Sequence, residues 1–286
     1  MIDQKAFIDK IARRYKIRAQ RLRGQNFLID MAVVKKMIRI AAVKPTDHIL
    51  EIGPGFGVLT KLLSAQAKSV TAIEIDKRLV IALKQIMADR PNVKIIEGDV
   101  LKIFPNLVES LPADYRIVAN LPFQITSHFL RKFLETTKKP KDITLIIQQE
   151  LAARICAQPG QLSLISLAVQ LYGHPQMKIP IDCSSYWPRP RVDTVILKIS
   201  NINQGLVHKF SQSQLKDFWR IARIGFSSRR KQLHNNLAAG LKVDNNQIKE
   251  IISKIGLNPH CRPQELSKFD WLRLFQEIKA TPCLTK

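Results

Sequence analysis

Between residues 49 and 200 short apolar runs alternate with amphipathic helical segments, and few folds accommodate that order. ILEIG (49–53), VTAIEI (70–75), VKIIEG (93–98), RIVAN (116–120), ITLIIQ (143–148) and TVILKIS (194–200) read as buried strands, with MKIPI (177–181) a weaker seventh. VLTKLLSAQ (58–66), KRLVIALKQIMA (77–88) and ITSHFLRKFLET (125–136) have the spacing of helices with one apolar face. Strands alternating with helices build a mostly parallel sheet covered on both faces, which takes its ligands at the carboxyl ends of the strands. After Ser200 the pattern changes: NINQGLVHKFSQSQ is polar and turn-like, and helical periodicity then governs LKDFWRIARIGF, RRKQLHNNLAAG, NNQIKEIISKIG and FDWLRLFQEIK. The expectation is a first domain over 1–202, opening with a basic arm over 1–23, and a smaller all-helical domain over 203–286.

The ends of the predicted strands carry the chemistry. The first runs into EIGPGFG (51–57), where glycines at 53, 55 and 57 let the backbone turn tightly and approach a ligand at a helix N-terminus. The spacing departs from the GxGxxG of pyrophosphate sites. Glu74 closes the second strand, where a carboxylate can accept both ribose hydroxyls of a nucleoside cofactor. Asp99 closes the third and is placed to accept amino hydrogens from an adenine. The fourth ends in Asn120-Leu121-Pro122-Phe123, an order that core packing does not require. The Asn120 amide oxygen and the Leu121 carbonyl can accept the two hydrogens of an exocyclic amine and hold its lone pair toward an incoming methyl group. Pro122 stiffens the turn, and Phe123 offers a face on which a base can stack, worth about 1–3 kcal/mol. Direct methyl displacement asks for alignment rather than a general base, and a base inside a duplex would have to be flipped out to reach the site.

The charge identifies the partner class. With 46 Lys and Arg against 23 Asp and Glu, the 286-residue chain carries +23, a balance suited to a phosphate backbone. Residues 10–23, KIARRYKIRAQRLR, hold seven of these cations and no acid. In the helical domain Arg220, Arg223, Arg229, Arg230 and Lys231 form a second basic group, with His234, Asn235 and Asn236 as further polar contacts. The four cysteines are scattered without a CxxC pair, and the histidines show no HxxxH or HxE pattern, so no metal is expected. Nothing in the chain reaches membrane-spanning length. Asp3 and Asp9 are unlike a transit peptide, and a cytoplasmic protein is the expectation.

GQNFLID (24–30), EIGPGFGVLT (51–60), IEID (73–76), GDV (98–100), NLPF (120–123) and FSSRRKQLHNNL (226–237) resemble the ribosomal RNA adenine dimethyltransferases, in particular the KsgA-type enzymes of the small ribosomal subunit. The resemblance runs from about residue 20 to 270, and GQNFL with the FSSRRKQLHNNL block is its most specific part. It implies a Rossmann-like class I methyltransferase sheet and S-adenosylmethionine as cofactor. Asn26 and Leu28 would border that cofactor, Gly53 and Gly55 wrap it, Glu74 hold its ribose and Asp99 its adenine. Asn120 to Phe123 would be the catalytic loop, and Tyr186 the aromatic that closes on the target base from the other side, with Trp187 as the alternative. The implied reaction places two methyls on each of two adjacent adenosines near the 3′ end of small-subunit RNA, on a pre-30S-type particle, with a monomeric enzyme.

Phe123 stands where the family more often has tyrosine, and Gln149 and Gln161 stand where it commonly carries basic residues. Three rivals share parts of the pattern. A resistance-type large-subunit rRNA methyltransferase shares the catalytic core but not the FSSRRKQLHNNL block. An N6-adenine DNA methyltransferase would carry a different loop and a target-recognition domain. A non-catalytic ribosome assembly factor would have no need of Gly53, Glu74, Asp99 and Asn120 together.

Overall fold

A computed structural model describes residues 4–19, 24–136, 138–202, 205–207 and 210–281. Arg21 and Arg23 of the basic arm, His208 and Cys283 lie outside them. The chain divides into two compact units, Met1–Ala153 with Gly173–Asn203, and Arg154–Tyr172 with Gln204–Lys286.

The first unit is built on a seven-stranded sheet. Its strands are β2 (His48–Ile52), β3 (Ser69–Glu74), β4 (Val93–Glu97), β5 (Arg116–Asn120), β6 (Ile143–Gln148), β7 (His174–Ile181) and β9 (Thr194–Ser200), in the order β4-β3-β2-β5-β6-β9-β7. The first five are parallel, and β9 and β7 close the sheet antiparallel. β5 and β6 are buried almost along their whole length, as strands covered on both faces must be. β7 is three residues longer at its start than the apolar run MKIPI suggests. It is the edge strand, largely exposed, and carries Pro175 and Pro180, whose missing N–H groups an edge tolerates. The order of strands reverses between β2 and β5, so the crevice at their carboxyl ends is the natural ligand site.

Two features outside the main sheet shape that crevice. β1 (Phe27–Leu28) and β8 (Tyr186–Trp187) form a separate two-residue antiparallel pair, Phe27 against Trp187 and Leu28 against Tyr186. Helix α1 (Gln4–Arg14) buries Ile8 and Ala12 in one cluster with Ile17, Phe27, Phe56, Leu79 and Ala82. This part of the expected basic arm is therefore a docked helix. Its apolar face packs behind the glycine loop while Arg13 and Arg14 stay exposed at its last turn. Arg78, in α4 (Lys77–Ile86), fastens the end of the segment by donating to the Lys16 carbonyl at 2.7 Å.

At the opposite, amino-terminal end of the central strands Arg116 is buried between two carboxylates. Its Nη1 lies 2.5 Å from Asp47 Oδ2, its Nε and Nη2 meet both oxygens of Asp142 at 3.0 and 2.7 Å, and it donates to the carbonyls of Ala41 and Ala42. Those carbonyls end helix α2 (Met31–Ala41), whose start is capped by Asp30 through the N–H groups of Ala32 and Val33. Removing one partner from such a buried group typically costs about 3–5 kcal/mol, because the remaining charge is stranded.

The second unit is all helical: α8 (Leu164–Tyr172), α9 (Gln212–Gly225), α10 (Leu233–Leu241), α11 (Asn245–Lys254) and α12 (Lys268–Ala280). Capping boxes at Ser211 and Ser267 begin α9 and α12. Phe218, Leu233, Ile248, Trp271 and Leu274 are all but fully buried. Gly225 is required where it stands, since a Cβ there would lie 2.5 Å from the Trp271 ring. The grouping differs from a simple cut at residue 203, because 154–172 belongs with this unit. LISLAVQLY is apolar on nearly every side and buries Leu167 and Leu171, and Gly160 and Leu162 donate to the Gln264 carbonyl at 2.8 and 3.2 Å.

Candidate cofactor and base site

A cavity of about 300 Å³ opens at the carboxyl ends of β2, β3, β4 and β5. Its walls are 24–28, 51–56, Glu74 and Ile75, 98–100 and 120–125, so Asn26, Leu28, Gly53, Gly55, Glu74, Asp99 and Asn120–Phe123 all reach one space.

The glycine loop is shaped by three left-handed residues, Gly53 (φ 65°), Gly55 (φ 56°) and Gly57 (φ 76°), the last leading into α3 (Val58–Ser64). A side chain at Gly55 would put Cβ 2.8 Å from the Phe27 ring. Phe27 in turn meets Phe56 edge-on at 4.6 Å and lies parallel to Trp187 at 6.2 Å. The aromatic group fixes the position of the loop.

Glu74 is buried and anchored. Oε2 accepts from Gly55 N at 3.2 Å, and Oε1 accepts from Ile75 N and Asp76 N at 2.9 and 3.0 Å. Burial raises its pKa, with those three N–H groups opposing the shift. Asp99 caps α5 (Val100–Ser110), one oxygen accepting from Leu101 N at 2.9 Å.

Sequence reasoning missed Glu51. It is 1 % exposed in β2 and lines the cavity. Neither Glu51 Oε2 nor the neighbouring Thr60 Oγ1 closes a hydrogen bond of normal geometry among the described residues. Desolvation pushes the carboxyl pKa up to about 8, with Thr60 opposing and the Glu74 charge adding to the rise. The signal was an acid within the otherwise apolar ILEI.

The turn over 120–123 is oriented by the other wall. Asn120 Nδ2 donates to the Asn26 carbonyl at 3.2 Å, which leaves Oδ1 buried with no partner among the described residues. A buried amide oxygen without a donor is costly unless something supplies one. Pro122 seats against Gly53, and its carbonyl accepts from Ile125 N and from Thr126 Oγ1 at 3.1 and 3.2 Å. Leu121 is buried beneath the turn, and Phe123 is half-buried on the cavity wall.

Tyr186 does not take the place expected of it. It is 2 % exposed, sits in the core with Leu28, Val34 and Ile196, and pairs its hydroxyl with Thr194 Oγ1 at 2.8 Å. Its strand partner Leu28 and its hydroxyl bond hold it inside, so it offers no face to a base. Trp187 is half-buried on Phe27 and does not line the cavity either.

In the helical unit Arg220 and Arg223 are exposed on α9, and Arg229, Arg230 and Lys231 are exposed in the turn before α10. Asn236 is buried and donates to the carbonyls of Gly225 and Ser228 at 2.7 and 2.9 Å, so it holds that turn rather than meeting a ligand. His234 is also buried, between Asn245 Oδ1 and Gln232 Oε1 at 3.0 and 2.7 Å, and is withdrawn as a surface contact. Gln149 and Gln161 are exposed. Among the described residues no three His, Cys, Asp or Glu side chains converge as metal ligands, and no helix is long and apolar enough to cross a membrane.

The chain has clear relatives among known proteins. Residues 17–280 match the family described as Ribosomal RNA adenine dimethylase. The Ribosomal RNA small subunit methyltransferase A of Dehalococcoides mccartyi is 38% identical over 269 residues, 94% of this chain and 91% of that one. Among solved structures, a dimethyladenosine transferase from Plasmodium falciparum superposes with a TM-score of 0.73 at 25% identity, over 88% of this chain and 96% of that one. The 23S rRNA methyltransferase ErmE superposes with a TM-score of 0.70 at 24% identity over 88% and 99%, a likeness of fold.

Proposed function

The chain belongs to the ribosomal RNA adenine dimethylases, and from that premise we propose that it transfers methyl groups from S-adenosylmethionine to the N6 amines of two adjacent adenosines near the 3′ end of small-subunit rRNA. The single observation that carries this reading is Asn120 Oδ1, a buried acceptor of a cavity-lining residue that has no partner among the described residues while the amide's Nδ2 is tied to Asn26.

The walls suit the cofactor. Loop 53–57 lets a ligand approach the backbone, Glu74 and Asp99 stand at adjacent strand ends for a ribose and an adenine, and Asn26 and Leu28 close the near side. The cofactor supplies a methyl group on a positively charged sulfur. Asn120 and the Leu121 carbonyl accept the hydrogens of the target amine and turn its lone pair toward that methyl. Pro122 keeps the turn rigid, and Phe123 stacks on the adenine. The catalytic contribution is alignment, a source of rate that can amount to about 7–11 kcal/mol where the reacting atoms are well oriented. After transfer the extra proton passes to water.

The exposed Arg220, Arg223, Arg229, Arg230 and Lys231 suit the phosphates of a folded RNA. On this reading the enzyme acts as a cytoplasmic monomer on a pre-30S-type particle. The test is labelled methyl transfer to small-subunit particles, large-subunit particles, naked rRNA and DNA, followed by nucleoside mass spectrometry. N6,N6-dimethyladenosine confined to the small-subunit particle is the expected result. Label on large-subunit RNA or DNA would overturn the substrate, and binding to the particle without label would leave an assembly factor.

A further inference from the structure

The cavity lies at the carboxyl ends of β2 to β5, and β6 stands on the other side of the 120–123 turn. Residues 188–193 bridge that side. At one end Trp187 pairs with Phe27, which lines the cavity together with its chain neighbours Gln25 and Asn26. At the other end the Asp193 carbonyl accepts from Gln149 N at 2.9 Å and Thr194 pairs with Gln148. Gln148 ends β6, the strand beside β5 and its Asn120.

The composition of this strap is specific. Pro188 and Pro190 alternate with Arg189 and Arg191, and each proline fixes its own φ near −65° and presses the residue before it toward extended backbone. Both arginines are exposed, and neither has a salt bridge among the described residues. Two exposed guanidinium groups on a proline-constrained segment anchored at the cavity wall, neither in a salt bridge although Arg189 feels the Asp182 carboxylate, match phosphate oxygens.

We propose that Arg189 and Arg191 hold the backbone phosphates of the RNA strand flanking the flipped adenosine. This rests on the methyltransferase reading above and adds to it a substrate clamp within the first unit, separate from the basic surface of the helical unit. The strap determines how the strand enters, while the catalytic turn determines which base reacts.

The experiment compares the wild type with the double variants R189A/R191A and R189K/R191K. Binding to small-subunit particles is measured across a salt series, with S-adenosylmethionine affinity as the check on folding. Two lost single-strand phosphate contacts, at about 0.7 each, should flatten the slope of log K against log salt by about 1.4 in the alanine variant. Referred to 1 M salt, that is about twenty-five-fold weaker binding at 0.1 M. Cofactor affinity should stay unchanged, and the lysine variant should recover most of the slope. An unchanged slope in the alanine variant, or a lysine variant as weak as the alanine one, overturns the proposal while wild-type methylation still supports the parent reading. Absence of methylation by the wild type overturns both.

Discussion

Replacing Glu51 by glutamine should change how folding stability depends on pH. The carboxyl is 1 % exposed, and burial lifts its pKa from an ordinary glutamate's 4.5 to about 8. Between those values the folded protein holds a proton that the unfolded chain has released. The native state then binds one proton more than the unfolded state, so this group makes stability fall as pH rises, by up to about 1.4 kcal/mol per unit. The contribution is fully favourable below the unfolded value and lost by the time pH passes the folded one. From pH 5.5 to 7.5 the ceiling is about 3 kcal/mol. Glutamine keeps the shape and removes the titration. Glu74 is shifted in the same direction but remains in both proteins, so the difference between the two reports Glu51 together with its coupling to Glu74. The assay is urea unfolding of wild type and E51Q at half-unit intervals from pH 5 to 8.5. Wild type should lose about 1–3 kcal/mol relative to E51Q across that range. Parallel curves would refute the argument that Glu51 is neutral when folded.

Three further outcomes follow from the site. Asn120→Ala removes the amine acceptor, and methyl transfer should fall by about 10²–10³, the scale seen when one aligned transition-state hydrogen-bonding group is lost. Particle binding, measured in parallel, should persist, and full activity would sink the catalytic assignment. Gly55→Ala forces a left-handed alanine, costing about 1–2 kcal/mol, and drives its Cβ into Phe27. Calorimetric affinity for S-adenosylmethionine should drop at least about ten-fold, the equivalent of 1.4 kcal/mol, and an unchanged affinity would mean that the loop does not wrap the ligand. Tyr186→Phe cuts a buried hydroxyl from Thr194 and should cost about 1 kcal/mol of unfolding free energy while leaving kcat in place. A loss of kcat with stability intact would return Tyr186 to the active site.

The sheet was legible because its central strands are buried on both faces, which writes continuous apolar runs into the sequence. The strand ends were legible too, since Glu74, Asp99 and Asn120 are polar where the core pattern stops. What escaped notice did so for physical reasons. β1 and β8 are two residues each, too short for any periodicity, yet their pairing decides where Tyr186 and Trp187 sit. An aromatic in SSYWPRP looks the same in the sequence whether it faces a ligand or the core, and only its neighbours Leu28 and Thr194 distinguish the two. His234 and Asn236 lie within a basic block that suggests surface, but helical geometry turns them inward. The apolar segment 164–172 follows a sheet strand closely enough to suggest the same domain, and its packing partners lie about a hundred residues later, in the segment around Gln264 and Lys268.

If Asn120 receives the target amine as proposed, its bond from Nδ2 to the Asn26 carbonyl also determines what kind of purine can be accepted. A carboxamide has one accepting end and one donating end, and a half-turn exchanges them. With the donating end tied to a main-chain oxygen 94 residues earlier in sequence, the end left free is an acceptor. An adenine brings hydrogens to it. A guanine or hypoxanthine, with oxygen at the same ring position, would bring lone pairs against a lone pair in a place that water does not easily reach. On the proposed reading, discrimination between the two purines is thus written partly into the backbone of the N-terminal wall, upstream of the residue that would perform it.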